Sequence, residues 1–425
     1  MNRQFRIIYQ DIVSSIAFLP SIISSFFLLL SIAMVYFDIP FSDNSLAKSM
    51  DVLLVKGNDN ARHVLSALIG GIISLTVFSF SMVMLLLNQA SSSFTPRIIP
   101  GLLTDKKHQF VLGFYIGTII YCIIIILNIT PGEASHNSPK FGVLLAMLFG
   151  IVCLSLFIYF IHLISQKIQV DNIISLVTAK AVKLIKANSR VSSIEGEFID
   201  TTLRYPLASF KAGYFSAIHS RKLENLCEHQ QIQVELLYPL GSYLLANTLF
   251  CRVSLNIDKD KELKEKILSC FDFTYEPYGE SNYLYSVNQL SEIAVKALSP
   301  GINDPGTALI ALDHLSKVFC CLYQQEQEKI AKHPKKHHLI IYKDYSLQEL
   351  LFQFINPIGN YGKSDAKVHA RLLDFYARLL PLVQPQDRQI IYRLVEEEIE
   401  SIEENIPSHS QISMLKSQLN KLKIA

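Results

Sequence analysis

The chain has 425 residues, half of them hydrophobic, and its mean hydropathy is +0.28. Its 39 Lys and Arg residues nearly balance its 37 Asp and Glu residues, so bulk charge gives no indication of a nucleic-acid partner. Because so apolar a composition is not typical of a soluble enzyme, we expect membrane-spanning segments.

Four apolar runs in the first 165 residues are long enough to cross a bilayer, which needs about 20 residues. The predicted spans are residues 13–37, 64–87, 110–129 and 141–164, and none contains Asp, Glu, Lys or Arg. The first run is too long for a signal-peptide core and lacks a small-residue cleavage site, so we predict that it is a span.

Basic residues mark one side of the predicted membrane domain. They lie at the amino terminus, between the second and third spans, and after the fourth span; examples are Arg3, Arg6, Arg97, Lys107 and Lys167. The other two loops are richer in acidic residues. The positive-inside rule therefore predicts that both termini lie in the cytoplasm.

The pattern changes after the fourth span. Residues 166–188 predict a helix, and residues 206–256 contain period-2 stretches such as GYFSAI and NTLFCRVSL, which are typical of strands. The remainder is mostly helical, with one isolated strand in HLIIYKDY and a capping box at Ser346 and Glu349. The predicted fold is membrane α-helical, with four transmembrane helices followed by a cytoplasmic α+β domain that has a small β unit and a helical remainder. Its predicted domains are residues 1–165, 166–256 and 257–425.

The stretch SPGINDPG, residues 299–306, joins two predicted helices. Pro300 and Gly301 end the first helix, Asp304 can cap the second, and Pro305 suits its first position. A corner between two helices explains this composition without any chemistry.

The alternative is that this corner binds a ligand or performs catalysis, because a helix amino terminus attracts anions. Its polar contacts would then be Asn303, Asp304 and Thr307. No Lys or Arg lies between residues 301 and 314, which argues against a phosphate cradle.

The second predicted span carries Ser66, Gly70 and Ser74 at a spacing of four residues. Small residues at this spacing let helices approach closely, and we expect them to pack inside the four-helix domain. Subunit contact and pore lining are the alternatives. Charge-free spans argue against an ion-coupled transporter, whereas a passive pore lined by hydroxyl and backbone groups stays possible.

The loop QASSSFTPRIIPGLLTDKKHQF joins the second and third spans. Its Arg97 is either an interfacial anchor or a coupling residue between the spans and the cytoplasmic domain. A polar cluster around Glu276 and Glu280, in FTYEPYGESNYLYS, is a second candidate site, although the sequence does not fix its geometry.

The chain contains no GxSxG, P-loop, GxGxxG or HExxH motif, and its seven cysteines lack metal-ligand spacing. We therefore expect no metal site, no cofactor and no disulfide framework, and the sequence argues against an enzyme more than for one.

Three stretches together resemble one family: ASSSFTPRIIPGLLTDKKHQFVLGFYIGTIIY, GYFSAI followed by VELLYPLGSYLLANTLFCRV, and QLSEIAVKALSPGINDPGTALIALDHL. The chain resembles the bacterial predicted membrane proteins of the domain-of-unknown-function 2254 family. ALSPGINDP carries the most specific part of the resemblance and FTPR the next. The resemblance implies four amino-terminal spans and a large cytoplasmic carboxy-terminal domain in the bacterial inner membrane, with no reaction or substrate.

The leading hypothesis is an oligomeric passive channel for ions or small solutes, regulated by its cytoplasmic domain. The alternatives are a membrane-anchored enzyme with its site at SPGINDPG, and a membrane scaffold or signalling protein. The expected partners are the lipid bilayer, further copies of the chain and a small cytoplasmic ligand, with no nucleic acid.

Overall fold

The computed structural model describes residues 17–41, 55, 57–93, 106–129, 139–167, 170–187, 205–256, 260–275, 278–279, 282–332 and 340–424. The chain divides into two compact units, Met1–Gln169 and Val170–Ala425. They are called the amino-terminal unit and the carboxy-terminal unit below.

The amino-terminal unit is a bundle of long apolar helices. They are α1 (Phe18–Phe41), α2 (Asn58–Ser93), α3 (Lys106–Leu127) and α4 (Lys140–Lys167). Within the described residues, these four helices are long and apolar enough to cross a membrane, which confirms the four predicted spans. At 36 residues, α2 is about 54 Å long and exceeds the thickness of a bilayer core.

The outward surface of this unit is apolar. Leu29 on α1 is 67% exposed and Ile158 on α4 is 71% exposed, and many other large hydrophobic side chains of the four helices are exposed as well. Water would oppose so large an apolar surface, whereas lipid tails match it. The bundle therefore suits a bilayer on its outer side.

Two glycines one turn apart bring α3 against α1. A Cβ atom built on Gly113 would lie 2.9 Å from the Cα of Pro20, and one on Gly117 would lie 2.6 Å from Cδ2 of Phe27. A third glycine, Gly150 on α4, lies equally close to the side chain of Leu68 on α2. Close approach of the helices thus depends on residues without a side chain.

The carboxy-terminal unit contains two small sheets. Their strands are β1 (Tyr205–Ala208), β2 (Gly213–Ile218), β3 (Val234–Leu236), β4 (Tyr243–Leu244), β5 (Leu249–Val253), β6 (Phe271–Thr274) and β7 (Ile340–Ile341). One sheet has the order β1-β5-β3-β7 and the other β4-β2-β6. All pairs are antiparallel except β3 with β7, which is parallel.

The two sheets share one apolar core with four phenylalanines at its centre. The ring centroids of Phe215 and Phe273 are 5.6 Å apart, and those of Phe250 and Phe271 are 5.1 Å apart. Alternation along the strands places these side chains on the inner faces, so their burial stabilises both sheets at once.

Two strand predictions need correction. The strand β6 was not predicted, because FDFT is too short to show a period-2 pattern next to the preceding helix. The strand in HLIIYKDY was predicted to be isolated, but its residues Ile340 and Ile341 pair with β3. The boundary predicted at residue 256 therefore falls inside this β structure.

Ten helices complete the described part of this unit. They are α5 (Val170–Ala187), α6 (Ser220–Gln230), α7 (Lys261–Leu268), α8 (Tyr283–Ala297), α9 (Pro305–Lys332), α10 (Leu347–Phe354), α11 (Asn356–Tyr361), α12 (Ala366–Leu379), α13 (Arg388–Asn405) and α14 (His409–Ile424). Helices α8 and α9 form a hairpin against which α5 packs, and α12 packs on α9 through Phe319 and Phe375. The predicted capping box at Ser346 and Glu349 is confirmed.

A buried ion pair joins α12 to α13. His369 is 1% exposed; its Nδ1 lies 2.6 Å from a carboxylate oxygen of Glu398, and its Nε2 lies 2.8 Å from the carbonyl oxygen of Lys363. Since both partners only accept, both ring nitrogens donate and the imidazole is charged. Burial lowers the pKa of His369, but these two hydrogen bonds and the charge of Glu398 outweigh burial and raise it.

Candidate functional site

The SPGINDPG stretch is a tight corner between α8 and α9. The N–H of Asn303 donates to the carbonyl oxygen of Ser299 at 2.9 Å, and the N–H of Asp304 donates to that of Ala297 at 2.8 Å. Asn303 has a φ of 49°, a left-handed conformation that asparagine tolerates better than most residues. The chain therefore reverses within a few residues, and the backbone N–H groups of Asn303 and Asp304 are hydrogen-bonded within the corner.

Asp304 caps α9, as the sequence predicts. Its Oδ1 accepts the N–H of Thr307 at 3.1 Å, and its Oδ2 accepts the hydroxyl of Thr307 at 2.6 Å. These two hydrogen bonds hold the pKa of Asp304 below its usual range. A Cβ atom on Gly306 would lie 3.2 Å from Oδ1 of Asp304, so a small residue leaves room for the cap.

The corner thus brings together all three residues named from the sequence. Asp304 and Thr307 are hydrogen-bonded to each other, while Asn303 is exposed. As it stands, this arrangement performs the structural task of a corner, and its ligand-binding or gating role stays a prediction.

The small residues of α2 do not pack inside the bundle. Ser66, Gly70 and Ser74 are exposed, and a Cβ atom on Gly70 or Gly71 would meet nothing within 4 Å. The expectation of packing inside the four-helix domain is therefore wrong. The close contacts are made by glycines of α3 and α4 instead, and the small-residue face of α2 does not contact the other three helices.

Two further sequence candidates lie outside the described residues. Arg97 belongs to the loop between α2 and α3, and Glu276 and Glu280 belong to the polar cluster before α8. Of that cluster, Tyr278 is buried, and its hydroxyl accepts a hydrogen bond from Nε2 of Gln353 at 2.8 Å.

Sequence reasoning missed a cleft of about 250 Å³ at the amino terminus of α8. Asn282 lines it and is 8% exposed; its Oδ1 accepts the N–H of Leu284 at 3.0 Å. Its Nδ2 has no hydrogen-bond partner among the residues that the structure describes. Tyr345 also lines the cleft, and burial raises the pKa of its hydroxyl.

This cleft is assembled from α5, β2, a turn, α8 and the segment before α10, so no local pattern could reveal it. Its one sequence signal is Asn282, a good N-cap residue directly before an apolar helix. Across the described ranges, no group of three or more His, Cys, Asp or Glu side chains could hold a metal ion.

A family model described as "Predicted membrane protein (DUF2254)" matches residues 13–378, which is most of the chain. The resemblance inferred from the three sequence stretches is therefore confirmed. No solved structure matches the chain.

Two mycobacterial relatives share similarity with this chain. They are "Uncharacterized protein Mb1321c" of Mycobacterium bovis and "Uncharacterized protein Rv1290c" of Mycobacterium tuberculosis, each 25% identical over 338 residues. The match covers 76% of this chain and 64% of each relative, so the chain spans about two thirds of their length at most.

Proposed function

We propose that this chain, a member of the DUF2254 family of predicted membrane proteins, forms an oligomeric passive channel for ions or small solutes. The carboxy-terminal unit regulates the pathway. The protein lies in the bacterial inner membrane with both termini in the cytoplasm, and its partners are the lipid bilayer, further copies of itself and a small cytoplasmic ligand, with no nucleic acid.

The observation that carries this proposal is the outward face of α2. Ser66, Gly70 and Ser74 recur on successive turns and are exposed within the protomer. Glycine and serine offer little side-chain surface for contact with lipid tails, but they allow the backbone of a second helix to approach closely. A second copy of α2 is therefore the occupant that this face suits best.

Several copies of α2 around an axis would also supply a polar lining. The hydroxyl of Ser74 donates to the carbonyl oxygen of Gly70 at 2.9 Å, which leaves the lone pairs of the Ser74 oxygen free to face a solute. Hydroxyl oxygens without fixed charge suit passive conduction better than ion-coupled pumping.

Regulation is assigned to the carboxy-terminal unit. The corner residues Asn303, Asp304 and Thr307 are the proposed gating or ligand contacts, and Arg97 is the proposed coupling residue at the membrane surface. The exposed side chain of Asn303 supports a contact there, since nothing in the corner itself requires its amide.

Cross-linking tests the assembly. We expect Ser66→Cys to form covalent dimers with a membrane-permeant bis-maleimide. The background carries Cys320→Ser and Cys321→Ser, because these two native cysteines are partly exposed whereas the other five are buried. Ile158→Cys is the matched control, because Ile158 is a lipid-facing residue on α4. Equal cross-linking of both variants would remove the support for an interface at α2.

Ion flux tests the activity. Purified protein in potassium-loaded liposomes should release potassium, and Gly70→Leu should reduce the release because leucine separates neighbouring α2 helices. Ile158→Leu should leave flux unchanged. Absence of flux from wild-type protein, with folding and insertion verified, would reject the channel.

A further inference from the structure

We propose that the groove between α5 and α9 binds a phosphate-bearing anion. The groove lies entirely within the carboxy-terminal unit and has a volume of about 700 Å³, which is within the usual range for small-molecule sites. Its existence does not depend on whether the amino-terminal unit conducts.

The lining of the groove is strongly one-sided in charge. Lys183 and Lys186 contribute from α5 and Lys317 from α9, and no Asp or Glu stands among the described residues that line it. None of these three lysines forms an ion pair within the described parts of the chain. Three lysines that form no ion pair among the described residues therefore line one groove, which favours a ligand of multiple negative charge.

Helical spacing explains the convergence. Ser175, Ala179, Lys183 and Lys186 recur at about one turn along α5, so they lie along one face over about 16 Å. The neighbouring Lys180 has a different task, since its Nζ lies 5.4 Å from the ring centroid of Tyr285. Lys180 thus makes a contact inside the protein, whereas Lys183 and Lys186 face the groove.

The floor of the groove is fixed by a hydrogen bond between its two helices. The hydroxyl of Thr178 donates to the carbonyl oxygen of Ile174 at 2.8 Å, so it accepts from Nδ1 of His314, also at 2.8 Å. This contact holds α5 and α9 in register, so the backbone positions from which the lysines project stay fixed relative to each other.

The rest of the lining sets the chemical class. Ala179, Val182 and Ala187 supply small apolar surface beside the lysines. A phosphate ester, whose charged head joins an organic body, fits this combination better than a small inorganic ion. A phospholipid headgroup and a free phosphate compound share that chemistry.

The experiment measures acetylation of lysine side chains by mass spectrometry on the full chain in nanodiscs. The first arm uses phosphatidylcholine nanodiscs with and without millimolar glycerol 3-phosphate, a soluble phosphate monoester. The second arm replaces part of the phosphatidylcholine by phosphatidic acid, a lipid with a phosphate monoester headgroup, without glycerol 3-phosphate. We expect Lys186 and Lys317 to be acetylated about fivefold more slowly when the groove is occupied, and the exposed Lys367 on α12 to react at an unchanged rate.

The two arms separate the sources. Protection in the first arm alone identifies a free phosphate compound, protection in the second alone identifies a headgroup, and protection in both shows that the groove accepts either. Protection in neither arm overturns the proposal.

A variant tests whether the lysines share one ligand. Lys317→Gln should abolish the protection of Lys186, and Lys367→Gln should preserve it. The reciprocal variant, Lys186→Gln read at Lys317, gives the same test should the first variant fold poorly. Protection that survives both groove variants would show independent surface binding and would also overturn the proposal.

Discussion

Replacing Asp304 by alanine removes the cap of α9 and tests the corner between α8 and α9 directly. The change deletes the acceptor of the Thr307 N–H and of the Thr307 hydroxyl. The lost cap is worth about 1 kcal/mol, and the lost negative charge in the first turn about 0.5 kcal/mol. Together they should lower the Tm of the carboxy-terminal unit by about 3–6 °C.

The assay is thermal unfolding of the full chain in detergent, followed by circular dichroism at neutral pH. Asp304→Asn retains an acceptor for the Thr307 N–H but loses the charge, and its amide nitrogen can only donate to the Thr307 hydroxyl, so its Tm should fall by about 1–2 °C. The pKa of Asp304 is lower in the folded protein than in the unfolded chain. The ionised carboxylate therefore stabilises the folded state fully above the unfolded pKa, and this contribution is lost as pH falls through the folded pKa. The difference in Tm between wild type and Asp304→Ala should therefore become smaller below about pH 4.

Asp260 provides the matched control. It caps α7 in the same way, with its Oδ1 accepting the N–H of Leu263 at 2.9 Å. Asp260→Ala should cost similar stability, so a flux defect confined to Asp304→Ala would be specific to the corner. A Tm for Asp304→Ala within about 1 °C of wild type would refute the capping argument.

Three further changes test other parts of the structure. His369→Gln should cost about 3 kcal/mol, since it breaks a buried charged pair. Because the pKa of His369 is raised, the deficit in urea unfolding should be greatest below about pH 6.5 and shrink as pH rises through the folded pKa; an unchanging deficit would contradict a charged imidazole. Gly117→Leu should prevent folding of the amino-terminal unit, because the side chain collides with Phe27, whereas Gly71→Leu should yield folded protein by size-exclusion chromatography; equal yields would refute the packing argument. Phe250→Ala should cost about 4 kcal/mol in denaturant unfolding, and a loss below about 1 kcal/mol would show that the two sheets do not share a core.

The sequence predicted correctly those features that depend only on residues close together in the chain. The four spans follow from apolar runs of bilayer length, and the cap at Asp304 and the capping box at Ser346 follow from residues three positions apart. Each needs only neighbours in the chain, so one sequence suffices.

The direction of a membrane helix face is a different problem. Periodicity shows that Ser66, Gly70 and Ser74 share a face, but lipid is as apolar as the bundle interior, so hydropathy cannot tell where the face points. The pair Gly113 and Gly117 carried the same small-residue signal and proved to be the packed one. The cleft beside Asn282 could not be predicted from the sequence, because its lining comes from segments that are distant in the chain.

The parallel pairing of β7 with β3 also constrains how the chain can be synthesised and cut. Val234 pairs with Ile340, so the β3 edge stays open until the ribosome has passed more than a hundred further residues. An open edge is a template for pairing with another chain. Fragments that end before residue 340 should therefore aggregate during expression, and the shortest useful fragment of this unit extends beyond β7.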